Sequence, residues 1–363
     1  MSARLTIGVL PGDGIGTEVM PPCLDILGAA LALVGRADFR FVELEAGAGC
    51  FRRHGEALPG ESLSQARAAD ALLLGAMGLP DVRYEDGTEI APQLELRERL
   101  GLYAGVRPIR TRPGVAPVLA DPRAAALDIV LVRESTEGLF AFREHGVVSD
   151  DEATDTLKIS RRVSERLFDF SFELARDRKS RGHAGRVTCV DKANVLNSFA
   201  FFRRIFAERA RRYADLTADY CYVDAAGLNL VKCPWTFDVM VTENMFGDIL
   251  SDVGAALMGG MGMAPSADIG DSQAVFQPCH GSAPDIMGKG VANPTAMVLS
   301  GAMLLDWLGR TRDDPALRRA GDLVEAAVDN AYAGGDVRPY ELGGDDGTVA
   351  IANAFQKALG TAR

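Results

Sequence analysis

The sequence predicts an α/β protein with a largely buried sheet, divided into two domains. Three observations lead there. The chain has 363 residues, more than one ordinary hydrophobic core accommodates. Short apolar runs alternate with helical stretches from end to end. A burst of glycines in VLPGDGIGTEV, residues 9–19, joins the first apolar run to the first helical stretch.

The first predicted strand is LTIGVL at 5–10, and it ends in the turn of Gly12, Gly14 and Gly16. This G-x-G-x-G spacing is not the dinucleotide fingerprint, whose third small residue would fall at Thr17. Nor does a Lys-Ser/Thr pair follow to complete a kinase-type phosphate loop. Glycine permits positive φ in a tight turn, and Asp13 or Thr17 is placed to cap the helix that follows. Taken alone, the stretch reads equally as a structural turn or as a loop beside a ligand. Further strands are predicted at 39–44, 69–76, 127–134, 185–191, 219–224, 237–244 and 274–279, with another around GVRP at 105–108. Runs this apolar suit strands covered on both faces. Among the helices, 92–100 begins with proline at its first position and stops at Gly101. The stretch 160–179 is long and amphipathic, with its arginines reading mostly as a solvated face. RRIFAERARRY at 203–213 resembles a nucleic-acid-binding helix only in isolation, and in an acidic chain it reads as surface charge.

Composition excludes several classes of function. The chain is 47% apolar and 25% charged, as expected of a soluble globular protein. Its net charge of −11 opposes binding to nucleic acid or anionic membranes. No apolar run reaches the ~18 residues of a membrane span, and the N-terminus lacks a basic-then-apolar signal, so a cytoplasmic location is expected. Cys23, Cys50, Cys189, Cys221, Cys233 and Cys279 form no C-x-x-C pair, which points to reduced thiols and not to zinc or a disulfide framework.

In NMFGDILSDVGAAL, residues 244–257, Asp248 and Asp252 lie four apart and share one helix face. Such a pair costs only about 0.2–0.5 kcal/mol, so an acidic surface face is the plain reading. Ile249, Leu250 and Val253 flank it, however, and Asp224 ends the strand at 219–224. Three carboxylates at the ends of buried elements suit a hard divalent cation, Mg2+ or Mn2+. Arg97 lies on the helix at 92–100, Arg107 in GVRP, and Arg133 at the end of the strand at 127–134. Each alone reads as a surface arginine; three at the ends of successive elements make bidentate carboxylate clamps. Lys192, in VDKANVL, follows a buried strand and either reaches water or is desolvated with a lowered pKa, a candidate base.

In order, LPGDGIG, LRERLGLYAGVRP, VRESTEGLF, VDKANVL, FGDILSD and HGSAPDIMGKGVANP resemble the β-decarboxylating dehydrogenases of the isopropylmalate, isocitrate, homoisocitrate and tartrate type, over about residues 5–359. The resemblance implies an isopropylmalate-dehydrogenase-like, non-Rossmann two-domain fold with a large mixed sheet flanked by helices. Residues 1–102 and 259–363 would form the cofactor domain, and 103–258 the substrate, metal and dimerisation domain. It also implies that the adenosine end of the cofactor is held by His280, Gly281, Asp285, Ile286 and Asn293. A carboxylate at Asp285 accepts from a ribose 2′-hydroxyl and repels a 2′-phosphate, which favours NAD over NADP.

The implied reaction oxidises a (2R)-hydroxy diacid at C2, passes hydride to nicotinamide and releases the β-carboxylate as CO2. Asp224, Asp248 and Asp252 would hold Mg2+ or Mn2+ against the 2-oxygen. Arg97, Arg107 and Arg133 would grip the malate carboxylates, and Lys192 would take part in deprotonating the hydroxyl. In relatives the counterparts of Lys192 and Asp224 come from the neighbouring subunit, implying a homodimer with shared active sites. The C3 substituent would be read by Ile90, Ala91, Gln93 and Leu94. Ala91 lacks the hydroxyl of isocitrate enzymes and Gln93 interrupts the leucine-rich wall of isopropylmalate enzymes, so an apolar or small polar group is expected. Two positions depart from the family pattern. Phe140 stands where most relatives have the tyrosine that protonates the enol, leaving His145 or a water as donor; Gln277 stands where relatives commonly have glutamate near the nicotinamide. The leading expectation is NAD-dependent decarboxylation of an isopropylmalate-like 3-substituted malate. Alternatives are tartrate or D-malate oxidation and, because of Phe140, a non-catalytic regulatory subunit.

Overall fold

Ten strands join into one mixed sheet with helices on both sides; the computed structural model describes residues 4–36 and 38–361. In chain order the elements are β1 (Leu5–Gly12), α1 (Gly16–Leu33), β2 (Phe39–Glu43), α2 (Ala48–His54), α3 (Gly60–Ala68), β3 (Ala71–Ala76), α4 (Pro92–Leu100), β4 (Ala104–Arg110) and β5 (Asp128–Glu134). There follow β6 (Val147–Val148), β7 (Ala153–Thr154), α5 (Arg161–Ser180), β8 (Arg186–Asp191), α6 (Asn197–Ala210), β9 (Thr217–Tyr222), α7 (Val223–Lys232), β10 (Val239–Thr242) and α8 (Asn244–Leu257). The chain ends with β11 (Pro265–Ile269), β12 (Ala274–Pro278), α9 (Thr295–Thr311), α10 (Pro315–Ala333) and α11 (Thr348–Thr361).

The strand order is β2-β1-β3-β12-β11-β4-β5-β10-β8-β9. Pairing is parallel on both flanks, whereas β12–β11, β11–β4 and β4–β5 are antiparallel. Parallel strands need cover on both faces, which is why β3 is an unbroken buried apolar run. Polar side chains gather instead on the antiparallel centre. The first five strands of the order come from residues 5–76 and 265–278, the last five from 104–242.

Two elements escaped the apolar-run criterion. All five residues of β11 are buried, yet Ser266 and Asp268 interrupt its hydrophobic pattern. The small hairpin of β6 and β7 is exposed and has two residues per strand, too short for a periodic signal. Asp224 is also displaced from its expected place, lying in the first turn of α7 just past β9.

The glycine turn proves structural. A Cβ on Gly12, at φ +73°, would lie 1.8 Å from the Ala76 carbonyl oxygen, and one on Gly14, at φ +57°, 2.0 Å from that of Ser282. Ile15 N–H donates to the Ser282 carbonyl at 2.9 Å, so the turn buttresses the loop that carries His280 and Gly281. The Asp13 carboxylate turns inward and accepts N–H bonds from Ala48 and Gly49, both at 2.7 Å, and from Gly78 at 2.9 Å. These are orphan donors at the start of α2 and in the chain after β3.

α9 is buried almost all round and packs against α1, α10 and the sheet. α1 is long and apolar enough to cross a membrane by length and composition, but Val19, Met20, Cys23, Ile26 and Leu27 pack into the core. On the other half of the sheet, Phe168 and Phe172 of α5 meet Phe206 of α6, each at ring-centroid distances of 5.2 Å. One arginine of α5 is not solvated: Arg178 is buried, with Nε donating to Asp238 at 2.7 Å and Nη1 to Asp128 at 2.9 Å. All six cysteines are free.

Candidate active site

The antiparallel centre of the sheet, the N-terminal part of α8 and the segment before α4 enclose a cleft of about 400 Å³. Arg97, Arg107 and Arg133 all line it, so the three predicted clamps converge although they come from different elements. Each is buried. Arg97 and Arg107 share one counter-ion that sequence reasoning missed, Asp268 of β11. Arg97 Nε donates to Asp268 Oδ2 at 3.0 Å, and Arg107 Nη2 lies 3.6 Å from Asp268 Oδ1. Burial alone would raise the Asp268 pKa, but Arg97, Arg107 and Arg133 hold its carboxyl below the usual range. Nothing in PSADI marks that acid as special; only pairing across β4, β11 and β12 brings it beneath the arginines.

Arg133 lies on the other side of the cleft. Its Nε donates to Asn244 Oδ1 at 2.9 Å, its Nη1 bonds Asp248, and its guanidinium lies 5.4 Å from the centroid of the Phe140 ring. Burial, then repulsion from Arg97, pushes its pKa down to about 10, with Arg107 adding to the effect and Asp248 opposing it. The guanidinium groups thus repel one another across the cleft, a repulsion that a dianion between them would relieve. Arg107 is held the other way: burial disfavours its charge, but Asp268 lifts its pKa above the ordinary value.

Asp248 and Asp252 line the same cleft from one face of α8. Burial, reinforced by Asp248, raises the Asp252 pKa, so the two carboxylates carry an unfavourable proximity that a divalent cation would offset. The third predicted ligand is elsewhere. Among the described residues of one chain, no group of three or more His, Cys, Asp or Glu side chains converges to hold a metal. Asp224 is exposed, and its Oδ1 accepts from Lys192 Nζ at 2.6 Å; neither residue lines the cleft. That hydrogen bond holds the Asp224 pKa below the usual carboxylate range. Behind Lys192, the buried Asp191 is gripped by Arg203 at 2.7 Å through both Nε and Nη2, which gives the basic run at 203–213 one structural task. Val195 after Lys192, Leu228 and Val231 on α7 and Ile249 on α8 are exposed apolar side chains.

Of the residues expected to read the C3 group, Ala91, Gln93 and Leu94 line the cleft. Ile90 does not; it is fully buried with Ala48, Ala57 and Val82. Gln93 Oε1 is buried with no hydrogen-bond partner. Past Glu89, Ala91, Leu94 and Phe140 the cleft adjoins a second cavity of about 1380 Å³, whose wall includes Glu85, Asp86, Glu95 and Glu98. Phe140 occupies the expected place, but His145 is exposed and does not line the cleft.

Of the expected adenosine contacts, His280 and Gly281 line the cleft. His280 pairs with the Gly281 carbonyl through Nδ1 at 2.9 Å, and its Nε2 is buried without a partner. Burial lowers its pKa, which favours the neutral ring, and with Nδ1 donating to that carbonyl Nε2 is left as an acceptor. Asp285 is exposed and Ile286 half-buried, on the loop beyond the cleft. Asn293 is directed inward: its Oδ1 accepts from Thr295 N and Oγ1 at 3.0 and 2.6 Å, and its Nδ2 donates to Glu341 at 2.5 Å. Its side chain is consumed in holding the loop.

The model of the isocitrate/isopropylmalate dehydrogenase family matches residues 6–358. The chain is 41% identical over 354 residues to a 3-isopropylmalate/3-methylmalate dehydrogenase of Methanocaldococcus jannaschii, covering 97% of this chain and 98% of that one. It is 41% identical over 366 residues to the homoisocitrate dehydrogenase of the same organism, covering 98% and 99%. Among solved structures, an isocitrate dehydrogenase from Methylococcus capsulatus superposes with a TM-score of 0.85 at 34% identity, covering 98% of this chain and 99% of that one.

Proposed function

The chain belongs to the isocitrate/isopropylmalate dehydrogenase family, oxidoreductases that act on a hydroxy acid with decarboxylation, and from that premise we propose that it performs the NAD-dependent oxidative decarboxylation of a 3-substituted (2R)-malate, 3-isopropylmalate-like, in the cytoplasm. The observation that carries the reading is the convergence of Arg97, Arg107 and Arg133 opposite Asp248 and Asp252 in one cleft. Two hard carboxylates on one helix face, with burial and Asp248 raising the Asp252 pKa, suit Mg2+ or Mn2+, and the exposed Asp224 of a second subunit completes the set. When bound, the cation supplies Lewis acidity at the 2-oxygen and NAD supplies the hydride acceptor.

The chain's own groups do the rest. The three guanidinium groups fix the carboxylates and the angle of C2. Lys192, delivered with Asp224 from the partner subunit, takes the hydroxyl proton. The exposed apolar side chains Leu228, Val231 and Ile249 support a homodimer formed across the 103–258 half, with 1–102 and 259–363 as the cofactor domain. Exposed Asp285 on the loop after His280 favours NAD over NADP by repelling a 2′-phosphate. Phe140 has no proton to give, so water reaching the cleft serves the enol.

An apolar C3 group suits Ala91, Leu94 and Phe140, and the acids of the adjoining cavity, which Arg99 and Arg143 offset only in part by pairing with Glu95 and Glu98, disfavour a third carboxylate there. Tartrate is the second reading, favoured by one observation: the unpartnered Gln93 oxygen would accept from a C3 hydroxyl. NADH formation by the purified homo-oligomer with Mn2+ is the test, across D-malate, tartrate, isocitrate and 3-alkylmalates. Preference for 3-alkylmalates supports the proposal, preference for tartrate transfers it to the second reading, and no turnover with any of them refutes it and favours a non-catalytic subunit.

A further inference from the structure

Asp268 lies beneath the arginines and has a second partner that the reaction does not use. Gln277 Nε2 donates to Asp268 Oδ2 at 2.7 Å, on the same oxygen that accepts from Arg97. Ser135 Oγ faces the other oxygen at 3.4 Å, next to Arg107. The register of β11 and β12 explains the contact: Gln277 pairs with Ser266, two residues from Asp268 on one face of the sheet, a diagonal within side-chain reach. Both side chains are buried.

Charge count makes this pair more than packing. Arg97 and Arg107 with the one carboxylate of Asp268 leave this wall at a formal +1, while Arg133 across the cleft is paired with Asp248. A second carboxylate at position 277 would stand about as far from Asp268 as the amide now does, setting two like charges side by side in one poorly screened space. With neither acid, Arg97 and Arg107 would be buried together with no counter-ion. The glutamine stands where the resemblance led us to expect glutamate, and the acid is found on the facing strand.

We propose that Asp268 and Gln277 are a positioning pair carrying one shared negative charge, which orients Arg97 and Arg107 with their remaining N–H groups toward the cleft; the proposal rests on reading the cleft as a dicarboxylate site. Amide and acid meet in one hydrogen bond, so exchanging them keeps both the bond and the charge. The clamp needs one acid and one amide at these two positions, in either order.

The test measures D-malate dissociation by calorimetry and the thermal midpoint for four full-length proteins: the wild type, Asp268→Asn, Gln277→Glu and the exchanged double variant. Gln277→Glu is expected to weaken D-malate about tenfold or more at pH 8, since a new charge faces the ligand across a poorly screened cleft. Asp268→Asn is expected to lower the thermal midpoint by several degrees, and the double variant to return to within about threefold of wild-type affinity with a wild-type midpoint. A merely structural role would leave the two lesions additive. If the exchange binds as poorly as Gln277→Glu, or if Gln277→Glu binds like the wild type, the shared-charge pair is wrong. Should Asp268→Asn not fold, the other variants, both still acidic at the pair, decide the question. Wild-type failure to turn over any 3-substituted malate sinks the functional reading and leaves this binding cycle to judge the pair.

Discussion

Arg133→Lys tests the clamp most directly. Arg133 spreads its fork over Asn244 through Nε at 2.9 Å and over Asp248 through Nη1, with the Phe140 ring 5.4 Å below. Lysine keeps the charge but has a single ammonium on a flexible stem, and it cannot serve two divergent acceptors together with a substrate carboxylate. One charge-assisted hydrogen bond is worth about 1.5–3 kcal/mol, and the ring contact adds about 0.5–1 kcal/mol. If the protein-side contacts are satisfied first, the substrate loses the bidentate bond, and the KM for 3-isopropylmalate rises roughly 10- to 150-fold. The side chain is buried, so solvent does not replace the missing bond. Initial rates of NADH formation at saturating NAD and Mn2+ give KM and kcat separately, and circular dichroism melting confirms the fold. A KM within threefold of wild type, with kcat unchanged, would refute the assignment of Arg133 as a carboxylate clamp.

Other outcomes follow from the same geometry. Phe140→Tyr returns a proton donor to the cleft and is expected to speed the enol-protonation phase by up to about 10²-fold in single-turnover experiments; an unchanged rate means this step never limits turnover. Asp252→Asn leaves Asp248 in its bond to Arg133 but removes one of the carboxylates proposed to hold the metal, so the Mn2+ concentration for half-maximal rate should rise at least about tenfold, read by metal titration after chelation. Arg178→Met leaves the buried carboxylate of Asp238 with the Gly185 and Arg186 N–H groups but without its buried countercharge, and is expected to cost about 3–5 kcal/mol in urea unfolding, with no change in KM. Burial raises the Glu134 pKa to about 7, against the bonds it accepts from Thr136 and Glu137. The folded chain thus keeps a proton that the unfolded chain releases near pH 4.3, so this group's stabilisation is lost as pH rises through about 7. Between pH 5 and 8 the wild type should lose about 3 kcal/mol relative to Glu134→Gln, and parallel pH profiles for the two would contradict this.

Much of the site was legible in order along the chain, because its parts sit at the ends of elements with strong local signals. Arg107 and Arg133 lie on apolar strands, and Arg97 on a helix opened by Pro92 and closed by Gly101 in the left-handed conformation. The spacing of Asp248 and Asp252 on a helix places them on one face without further information. Less legible was the inward turn of Asn293 and the burial of Ile90, since residue type and position in a motif say nothing of which way a side chain faces. Asp224 reads as a strand end because the apolar run DYCYVD continues through it, while the backbone turns into α7 at Val223.

The amino-acid sequence by itself determined the alternating elements, the glycine turn and the set of charged residues available for chemistry, since periodicity, φ preference and charge are properties of neighbours along the chain. Tertiary structure alone decided that β11, too polar to read as a strand, lies between β12 and β4 and sets Asp268 under two arginines against Gln277. It likewise decided that Asp224 stays with Lys192, outside the cleft of its own chain. The reason is physical: which charges share a low-dielectric space depends on strand order and register, and on contacts such as Arg97–Asp268, 171 positions apart, that no local pattern encodes.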